Sequence, residues 1–286
     1  MPTINYAEKY ANVVDQRFTL GALTNGIVNQ NFDWLGVETV KVFSRELATL
    51  GNYTLSGTSR YGTPDDLGNA VQEMKITQDK AFTYIIDRKT EQDTNGTMEA
   101  AATLAENIDN VVIPALDAYR LSVLVANAPT SGTHTGANHT KVAAVTAANA
   151  YEEFLAMQEI LDNDKAPVGG RIVVVTPGYL NKIKLDENFV KRGDKATDIG
   201  INGYIGDIDG VPTIKVPSSY LPENVDFVIT NPIVMPSPIK LQEFKIHTDA
   251  PGISGFLVEA RLRYDAFVLN KKADAIAVHA SANLSA

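Results

Sequence analysis

Apolar and polar residues alternate along residues 71–87 of this 286-residue chain, a pattern that predicts a β-strand with one covered face. The apolar positions of this strand are Met74, Ile76, Phe82, Tyr84 and Ile86. The preceding segment, 51–69, is dense in glycine, serine, threonine, proline and aspartate, as exposed loops are, and 34–50 is β-like. We therefore predict a long two-stranded arm with its tip at 51–69. Since isolated hairpins are marginally stable in water, we expect something outside the protomer to cover the apolar face of this arm.

A second pattern, along residues 97–128, places apolar residues at the spacing of an α-helix. The residues in register are Leu104, Ile108, Val111, Ala115 and Tyr119. At ~1.5 Å per residue such a helix is roughly 45 Å long, so we expect it to be the spine of the fold. Pro114 removes one backbone hydrogen bond and is expected to kink this helix.

Short helices and short apolar strands between residues 129 and 235 predict a small α/β domain. A helix is expected over about 147–161, because four apolar residues are in helical register there. These four residues are Ala150, Phe154, Met157 and Leu161. The stretch "RIVVVTP" has the character of a short buried strand, and "GYLNKIKL" that of a further helix.

Longer strands return after residue 235, where "GFLVEARLRYDAFVL" alternates and "AIAVHA" predicts a further strand. One face of the alternating strand carries Phe256, Val258, Ala260, Leu262 and Tyr264, and the other carries Glu259, Arg261, Arg263 and Asp265. We expect the later strands to pack on the spine helix. The α/β domain is then an insertion in an α+β fold, and polar residues 1–35 form an arm.

The stretch "INGYIGDIDGVPTIKVP", residues 201–217, raises the question of a ligand-binding loop. Its glycines fit neither the dinucleotide fingerprint nor the phosphate-binding loop. A calcium loop is disfavoured because Val211 and Ile214 stand where oxygen ligands are needed. The pair Asp209 and Gly210 between apolar residues instead predicts a two-residue β-hairpin, in which Gly210 supplies a positive φ.

No catalytic or cofactor-binding constellation is recognisable in the sequence, so we predict no enzyme, no cofactor and no metal site. The histidines are His134, His139, His247 and His279. His134 and His139 share a polar loop, and we interpret both as solvated because no further metal ligands stand near them in sequence. The chain has no cysteine, which excludes disulfides, thiolate metal sites and thiolate catalysis.

The charge balance disfavours one broad class of function. Lysine and arginine number 25 against 34 acidic residues, a net charge of -9, which argues against a protein whose main task is gripping phosphate backbones. We expect neither a signal peptide nor a membrane span, because the basic and apolar regions of the former and the long apolar run of the latter are missing.

The tip of the predicted arm carries the candidate contact residues. Tyr53, Arg60 and Tyr61 are of the types favoured at protein interfaces. Asp65 and Asp66 are adjacent carboxylates on an exposed loop, so they point apart and suit salt bridges to a neighbour better than acid–base chemistry.

The order of these pieces resembles the major capsid protein of tailed bacteriophages, the Hong Kong 97-type or Johnson fold. Local stretches carry the resemblance too: "FDWLGVETVKVFSREL", "VVIPALDAYRLSVLV", "GDIDGVPTIKVP" and "FLVEARLRYDAFVLNKKADAIAVH". The resemblance covers nearly the whole chain. It implies an N-terminal arm at 1–35, an extended loop at 36–88, a peripheral domain at 89–128 plus 236–286, and an axial domain at 129–235.

The resemblance also implies a function: a coat subunit that assembles as hexamers and pentamers into an icosahedral shell around packaged double-stranded DNA. Each extended loop would lie over the peripheral domain of a neighbour. The expected partners are copies of the chain itself, a scaffold protein, a portal and a decoration protein, with the DNA held without sequence-specific binding and no membrane involved. The expected location is the virion, after assembly in the cytoplasm of the host bacterium.

Two departures from the family pattern matter. The chain starts almost at the arm, which implies a processed form or a separate scaffold protein. No lysine occurs between Lys41 and Lys75, so the tip offers no amine for the autocatalytic cross-links of some family members, and we predict a shell held non-covalently. Two other functions stay open: an encapsulin-type compartment, which the long N-terminal arm disfavours, and a hydrolase in the α/β domain, which the missing motifs disfavour.

Overall fold

The computed structural model describes residues 22–29, 32, 39–64, 66–94, 99–130, 138–186, 204–248 and 250–284. The strands are β1 Thr39–Arg45, β2 Asn69–Lys75, β3 Gln78–Asp87, β4 Thr140–Val142, β5 Ile172–Val175, β6 Tyr204–Ile208, β7 Val211–Lys215, β8 Val225–Thr230, β9 Ile239–His247, β10 Gly255–Tyr264 and β11 Ala277–Ala280. The α-helices are α1 Arg88–Asp93, α2 Ala100–Asn107, α3 Ile113–Ala126, α4 Ala150–Asn163 and α5 Pro177–Leu185. The described strands form three sheets, with the orders β1-β2, β3-β10-β9 and β4-β11-β8-β5-β7-β6.

Strands β1 and β2 form the two-stranded arm that the sequence predicts. They pair antiparallel along all seven residues of each strand. The segment between them, 46–68, is closed at its base by a 3.0 Å hydrogen bond from the Glu46 N–H to the Gly68 carbonyl. We call β1, this segment and β2 the hairpin arm.

The single long strand predicted over 71–87 is wrong, because the chain forms two strands in different sheets. Ile76 and Thr77 separate β2 from β3, and we call these two residues the elbow. Beyond the elbow, β3 pairs with β10 rather than with β1. The apolar faces of β2 and β3 also pack in different places, since Met74 of β2 and Ile86 of β3 belong to separate apolar clusters. Alternation continues through the elbow, so the pattern gives no sign of the break.

The spine helix runs from α2 to α3 through a π-helical turn, Ile108–Val112. Pro114 follows this turn at the start of α3. A proline ring clashes with the carbonyl four residues before it, and a wider turn leaves room for the ring. The distortion expected at Pro114 therefore takes the form of a π-helical turn. Leu121 and Leu124, further along α3, are fully buried in the main core.

The six-stranded sheet and helices α4 and α5 enclose the main core. The four α4 residues predicted to face inward are all fully buried: Ala150, Phe154, Met157 and Leu161. The ring of Phe227, from the fully buried strand β8, packs against the aromatic rings of both helices. Its centroid is 5.8 Å from that of Phe154 and 4.5 Å from that of Tyr179, which joins both helices to the sheet.

The β-hairpin predicted at Asp209 and Gly210 is confirmed. Strands β6 and β7 pair antiparallel on either side of it. Asp209 has φ of 52° and Gly210 has φ of 76°, as a type I′ turn requires at both central residues. Gly210 is therefore required by the turn and not by a ligand-binding loop.

The last strand, β11, lies in a different place from the one expected. The sequence predicts "AIAVHA" beside the later long strands on the spine helix, but β11 lies between β4 and β8 in the six-stranded sheet, where it shares the main core with Leu121 of that helix. All four of its residues are buried, which suits an inner strand covered on both faces. Strand β10 does lie where predicted, since its Val258 shares an apolar cluster with Ala100 of the spine helix, and β9 pairs with β10 at the edge of that sheet.

Candidate assembly surface on the hairpin arm

The tip of the hairpin arm is folded on itself and leaves its aromatic rings exposed. The Thr54 N–H donates a 3.0 Å hydrogen bond to the Arg60 carbonyl. The rings of Tyr53 and Tyr61 meet edge to face, with centroids 5.1 Å apart and planes at 69°. Tyr61 is 91% exposed and Tyr53 is 51% exposed. The tip therefore presents a preformed aromatic pair to its surroundings.

Exposed apolar side chains are concentrated on this arm. Of the 16 large apolar residues that are exposed in the described part of the chain, half lie between Thr39 and Lys75. They are Phe43, Leu47, Leu50, Tyr53, Leu55, Tyr61, Leu67 and Val71. Exposed apolar surface beyond scattered single residues marks sites of interaction in soluble proteins, and half of the exposed large apolar residues lie on the arm, so the arm is the strongest candidate for a contact surface.

Among the candidate contact residues, the structure brings Tyr53, Arg60 and Tyr61 together at the tip. Arg60 is exposed, and its Nε donates a 3.2 Å hydrogen bond to the Gly57 carbonyl, so it also holds the backbone of the tip. Asp66 is exposed as well, and Asp65 lies outside the described residues. All five remain candidates for contact with a neighbouring copy.

The base of the hairpin arm is covered by the chain itself, which corrects the expectation that only another molecule covers the arm. Met74 and Ile76 are buried in one cluster with Leu269 from the C-terminal part of the chain. The side-chain amide of Gln72 donates a 2.7 Å hydrogen bond to the Val268 carbonyl. Contacts between segments so distant in sequence leave no signal in local periodicity. Only the tip and the outer side of the arm keep the exposure that the pattern predicts.

A buried carboxylate joins the elbow to the spine helix. Asp265 was expected on the exposed face of β10, but it follows the last residue of that strand and turns inward, so the alternation no longer applies. Its Oδ2 accepts hydrogen bonds from the N–H and the hydroxyl of Thr77, at 2.7 and 2.9 Å. Its Oδ1 accepts a 2.7 Å bond from the hydroxyl of Tyr119. Burial first, and then Asp265, raise the pKa of Tyr119 to about 12, so this phenol keeps its proton.

A second buried carboxylate fixes residues 22–29 to the spine helix. Asp117 accepts hydrogen bonds from the Leu23 N–H at 2.9 Å and the Thr24 hydroxyl at 2.5 Å. One turn along the helix, Arg120 donates to the Thr24 hydroxyl oxygen at 2.9 Å. Burial lowers the pKa of Arg120, and the charge of Asp117 opposes that shift. The N-terminal segment is therefore anchored by an acid and a base that are buried together.

Two histidines are buried, and for His139 this corrects the prediction of a solvated residue. Its Nδ1 lies 2.8 Å from the Ile276 carbonyl and its Nε2 lies 2.5 Å from an Asp164 carboxylate oxygen. His139 directly precedes β4, and the pairing of β4 with β11 draws it into the core. His279 is buried within β11, in the strand where the sequence places it. His134 lies outside the described residues.

Across the described ranges, no three histidine or acidic side chains stand close enough together to hold a metal ion. No helix in that part of the chain combines the length and the apolar character needed to cross a membrane. What the described residues do offer is the exposed apolar surface of the hairpin arm.

No protein-family model matches the chain, and no curated protein is similar to it in sequence. Its fold, however, is similar to those of solved structures. A chain from Mycobacterium phage Che8 is 17% identical, with a TM-score of 0.68 over 97% of this chain and 98% of that one. The capsid of cyanophage P-SCSP1u gives a TM-score of 0.74 at 13% identity, covering 98% and 94% of the two chains. The capsid of a native GTA particle gives a TM-score of 0.66 at 11% identity, covering 97% and 95%.

These similarities extend over nearly the whole length of both chains in each comparison, so they concern the complete fold and not one domain. At such low sequence identity, the similarities show that the backbones are arranged alike, and they say nothing about the role of individual residues. The resemblance to the major capsid proteins of tailed bacteriophages is thus confirmed at the level of the fold: this chain has the mixed α/β fold of phage capsid subunits.

Proposed function

We propose that this chain is the major capsid protein of a tailed bacteriophage, which assembles with copies of itself into a closed shell around double-stranded DNA. The observation that carries the proposal is the similarity to phage capsid structures over 97% to 98% of the chain. In the proposed shell, hexamers and pentamers form an icosahedral lattice. No catalytic step is part of this function, and the mechanism is assembly.

The hairpin arm supports the proposal on physical grounds. Its base is buried against its own chain, whereas its tip and outer side leave large apolar residues exposed. Covering a leucine or phenylalanine side chain fully contributes about 1.5–3 kcal/mol, so a neighbour that covers part of this arm gains a moderate contact. Several moderate contacts per copy allow wrongly placed subunits to dissociate before the shell closes.

The proposed domain organisation follows the family pattern. The N-terminal arm is 1–35, the extended loop 36–88, the peripheral domain 89–128 plus 236–286, and the axial domain 129–235. Strand β11 then returns from the peripheral segment into the sheet of the axial domain, so the end of the chain ties the two domains together. In this arrangement each extended loop lies over the peripheral domain of a neighbour.

The proposed partners are other copies of the chain, a scaffold protein, a portal and a decoration protein. The shell forms in the cytoplasm of the host bacterium and becomes part of the virion. Contacts between copies are non-covalent, because the extended loop has no lysine between Lys41 and Lys75. The acidic balance of the chain suits a wall that repels packaged DNA weakly and does not grip it.

The test is assembly of the full chain, measured by electron microscopy and sedimentation. We expect closed polyhedral particles of uniform size that dissociate to monomers in boiling detergent. A compact protein that stays monomeric at every concentration and carries hydrolase activity would overturn the proposal. Particles isolated from an infected host separate the remaining alternative: double-stranded DNA inside supports the capsid, and enzyme cargo without DNA identifies an encapsulin-type compartment.

A further inference from the structure

We propose that Asp265 is the positioning residue that fixes the direction of the hairpin arm relative to the spine helix. It thereby sets where the arm meets a neighbouring copy. This inference rests on the proposed function, because the direction of the arm matters only if another copy receives it.

The elbow is the point at which the direction of the arm is decided. Strand β2 belongs to the two-stranded sheet and β3 to the three-stranded sheet, so neither ladder continues across Ile76 and Thr77. Asp265 supplies acceptors there. Its Oδ2 binds both the backbone N–H and the side-chain hydroxyl of Thr77, at 2.7 and 2.9 Å, and so restricts the backbone and the side chain of one residue together.

Asp265 is itself held from the side of the spine helix. Its Oδ1 accepts from the Tyr119 hydroxyl at 2.7 Å and from the Ala266 N–H at 2.8 Å. Its carbonyl accepts a 2.9 Å bond from the Ser237 hydroxyl, and that hydroxyl accepts a 2.8 Å bond from Nε of Arg120. Tyr119 and Arg120 are neighbours on α3, so one acidic residue connects the elbow to a single turn of the spine helix.

Other contacts hold the arm and Ile76 of the elbow to the segment that follows Asp265. Gln72 and the cluster of Met74, Ile76 and Leu269 bind the base of the arm to the C-terminal segment. These contacts fix where the base lies, and Asp265 adds the link from the elbow to the spine helix. Asp265 is 3% exposed, so water cannot replace a lost partner there without local rearrangement.

The substitution Asp265→Asn tests the hydrogen bonds of this side chain while its size stays the same. The side chain keeps its size, but one acceptor oxygen becomes an NH₂ group that faces either the N–H of Thr77 or the N–H of Ala266, so one buried backbone donor loses its acceptor in either orientation. Asp79→Asn is the matched control. Asp79 lies on β3, two residues beyond the elbow, and its carboxylate pairs with Arg261 at 3.0 and 2.6 Å on an exposed face, without contact to Asp265 in these bonds.

The direction of the arm is measured by electron–electron distance between two spin labels. The chain has no cysteine, so Ser59→Cys at the tip and Ala102→Cys on the spine helix, both exposed, carry the labels without background. Labelled protein is measured as free protomer and after assembly with an excess of unlabelled copies. We expect a narrow distance distribution for the parent and for Asp79→Asn. For Asp265→Asn we expect a broadened distribution and about tenfold fewer closed particles, the equilibrium effect of one lost buried hydrogen bond.

Tyr119→Phe is the second variant, for the case in which Asp265→Asn does not fold. It removes the hydroxyl that donates to Asp265 from the spine helix, and it should broaden the distribution while the far-ultraviolet dichroism stays that of the parent. An unchanged, narrow distribution in a folded Tyr119→Phe protomer, with or without a change in Asp265→Asn, overturns the inference. A parent that never closes into shells overturns the proposed function instead, and the protomer distances then still decide the role of Asp265.

Discussion

The side-chain amide of Gln72 donates a 2.7 Å hydrogen bond to the backbone carbonyl of Val268, 196 residues further along the chain. Its oxygen accepts a 3.0 Å bond from the Asn270 N–H, so one side chain satisfies two backbone groups as a neighbouring strand would. On its other side, this C-terminal segment bonds to residues 234–238. The base of the hairpin arm is therefore held by its own chain, whereas the tip stays exposed.

Replacing Gln72 by glutamate tests this relationship. The new oxygen faces the Val268 carbonyl, and a half-buried donor is lost, so we expect the free energy of unfolding of the protomer to fall by about 1–3 kcal/mol. Urea denaturation measures this change. Glu73→Gln on the same strand is the control. It breaks an exposed ion pair with Lys41 and should change stability little. Equal losses in the two variants would refute the bridging role of Gln72.

Alkaline titration tests the environment of Tyr119. Burial first, and the hydrogen bond to Asp265 second, raise its pKa from 10.0 to about 12, so folding favours the protonated phenol. The resulting stabilisation is complete below pH 10 and is lost as the pH rises through 12. We therefore expect the stability of the parent to fall more steeply across this window than that of Tyr119→Phe. Tyrosinate absorbance should show one phenol fewer ionising near pH 12 in the variant. Identical titration curves would refute the contact.

Substitutions at the tip should separate assembly from folding. Tyr61 and Arg60 are exposed, so Tyr61→Ala and Arg60→Glu should leave the unfolding temperature of the protomer unchanged. If the tip lies on a neighbour, truncating a central tyrosine weakens that contact by about 2 kcal/mol, or roughly 30-fold in affinity. Particle yield and the heat stability of particles measure the effect, and Tyr61→Phe, which keeps the ring, is the control. Normal particles from both variants would remove these residues from the contact surface.

Local pattern was sufficient for much of the fold. The face of α4 and the Asp209–Gly210 turn follow from spacing and from the φ that each residue tolerates, so both are confirmed. The break at the elbow escaped prediction because alternation is the same on both sides of Ile76, and only the partner strand changes. Strand β11 was assigned to the wrong sheet for a related reason: a short, fully buried strand fits any sheet that covers both of its faces.

The sequence predicts candidate contact residues only where residue type alone points to them. Tyr53, Arg60 and Tyr61 are candidates because they are interface-type residues in a loop rich in turn formers, and their contact role stays a prediction. Asp265, Gln72 and Asp117 were missed. Each has partners that lie far away in the sequence, at separations that run from 93 to 198 residues, and a polar residue gives no periodic signal when it is turned inward at the end of an element. A signal was present for Asp265: it ends an alternating run, where the assignment of faces is weakest.

Gly210, in the turn between β6 and β7, and Gly178, in α5, both have room for a methyl group but differ in backbone conformation. A methyl group at Gly210 or at Gly178 would meet no atom within 4 Å, but only Gly210 has a positive φ, of 76°. Gly210→Ala should lower the free energy of unfolding by about 1–2 kcal/mol, because an L side chain is strained in that region. Gly178→Ala, in α5, should raise it by about 0.4–1 kcal/mol by restricting the unfolded chain. Thermal unfolding of both protomers decides, and shifts of the same sign would show that backbone conformation does not determine the effect.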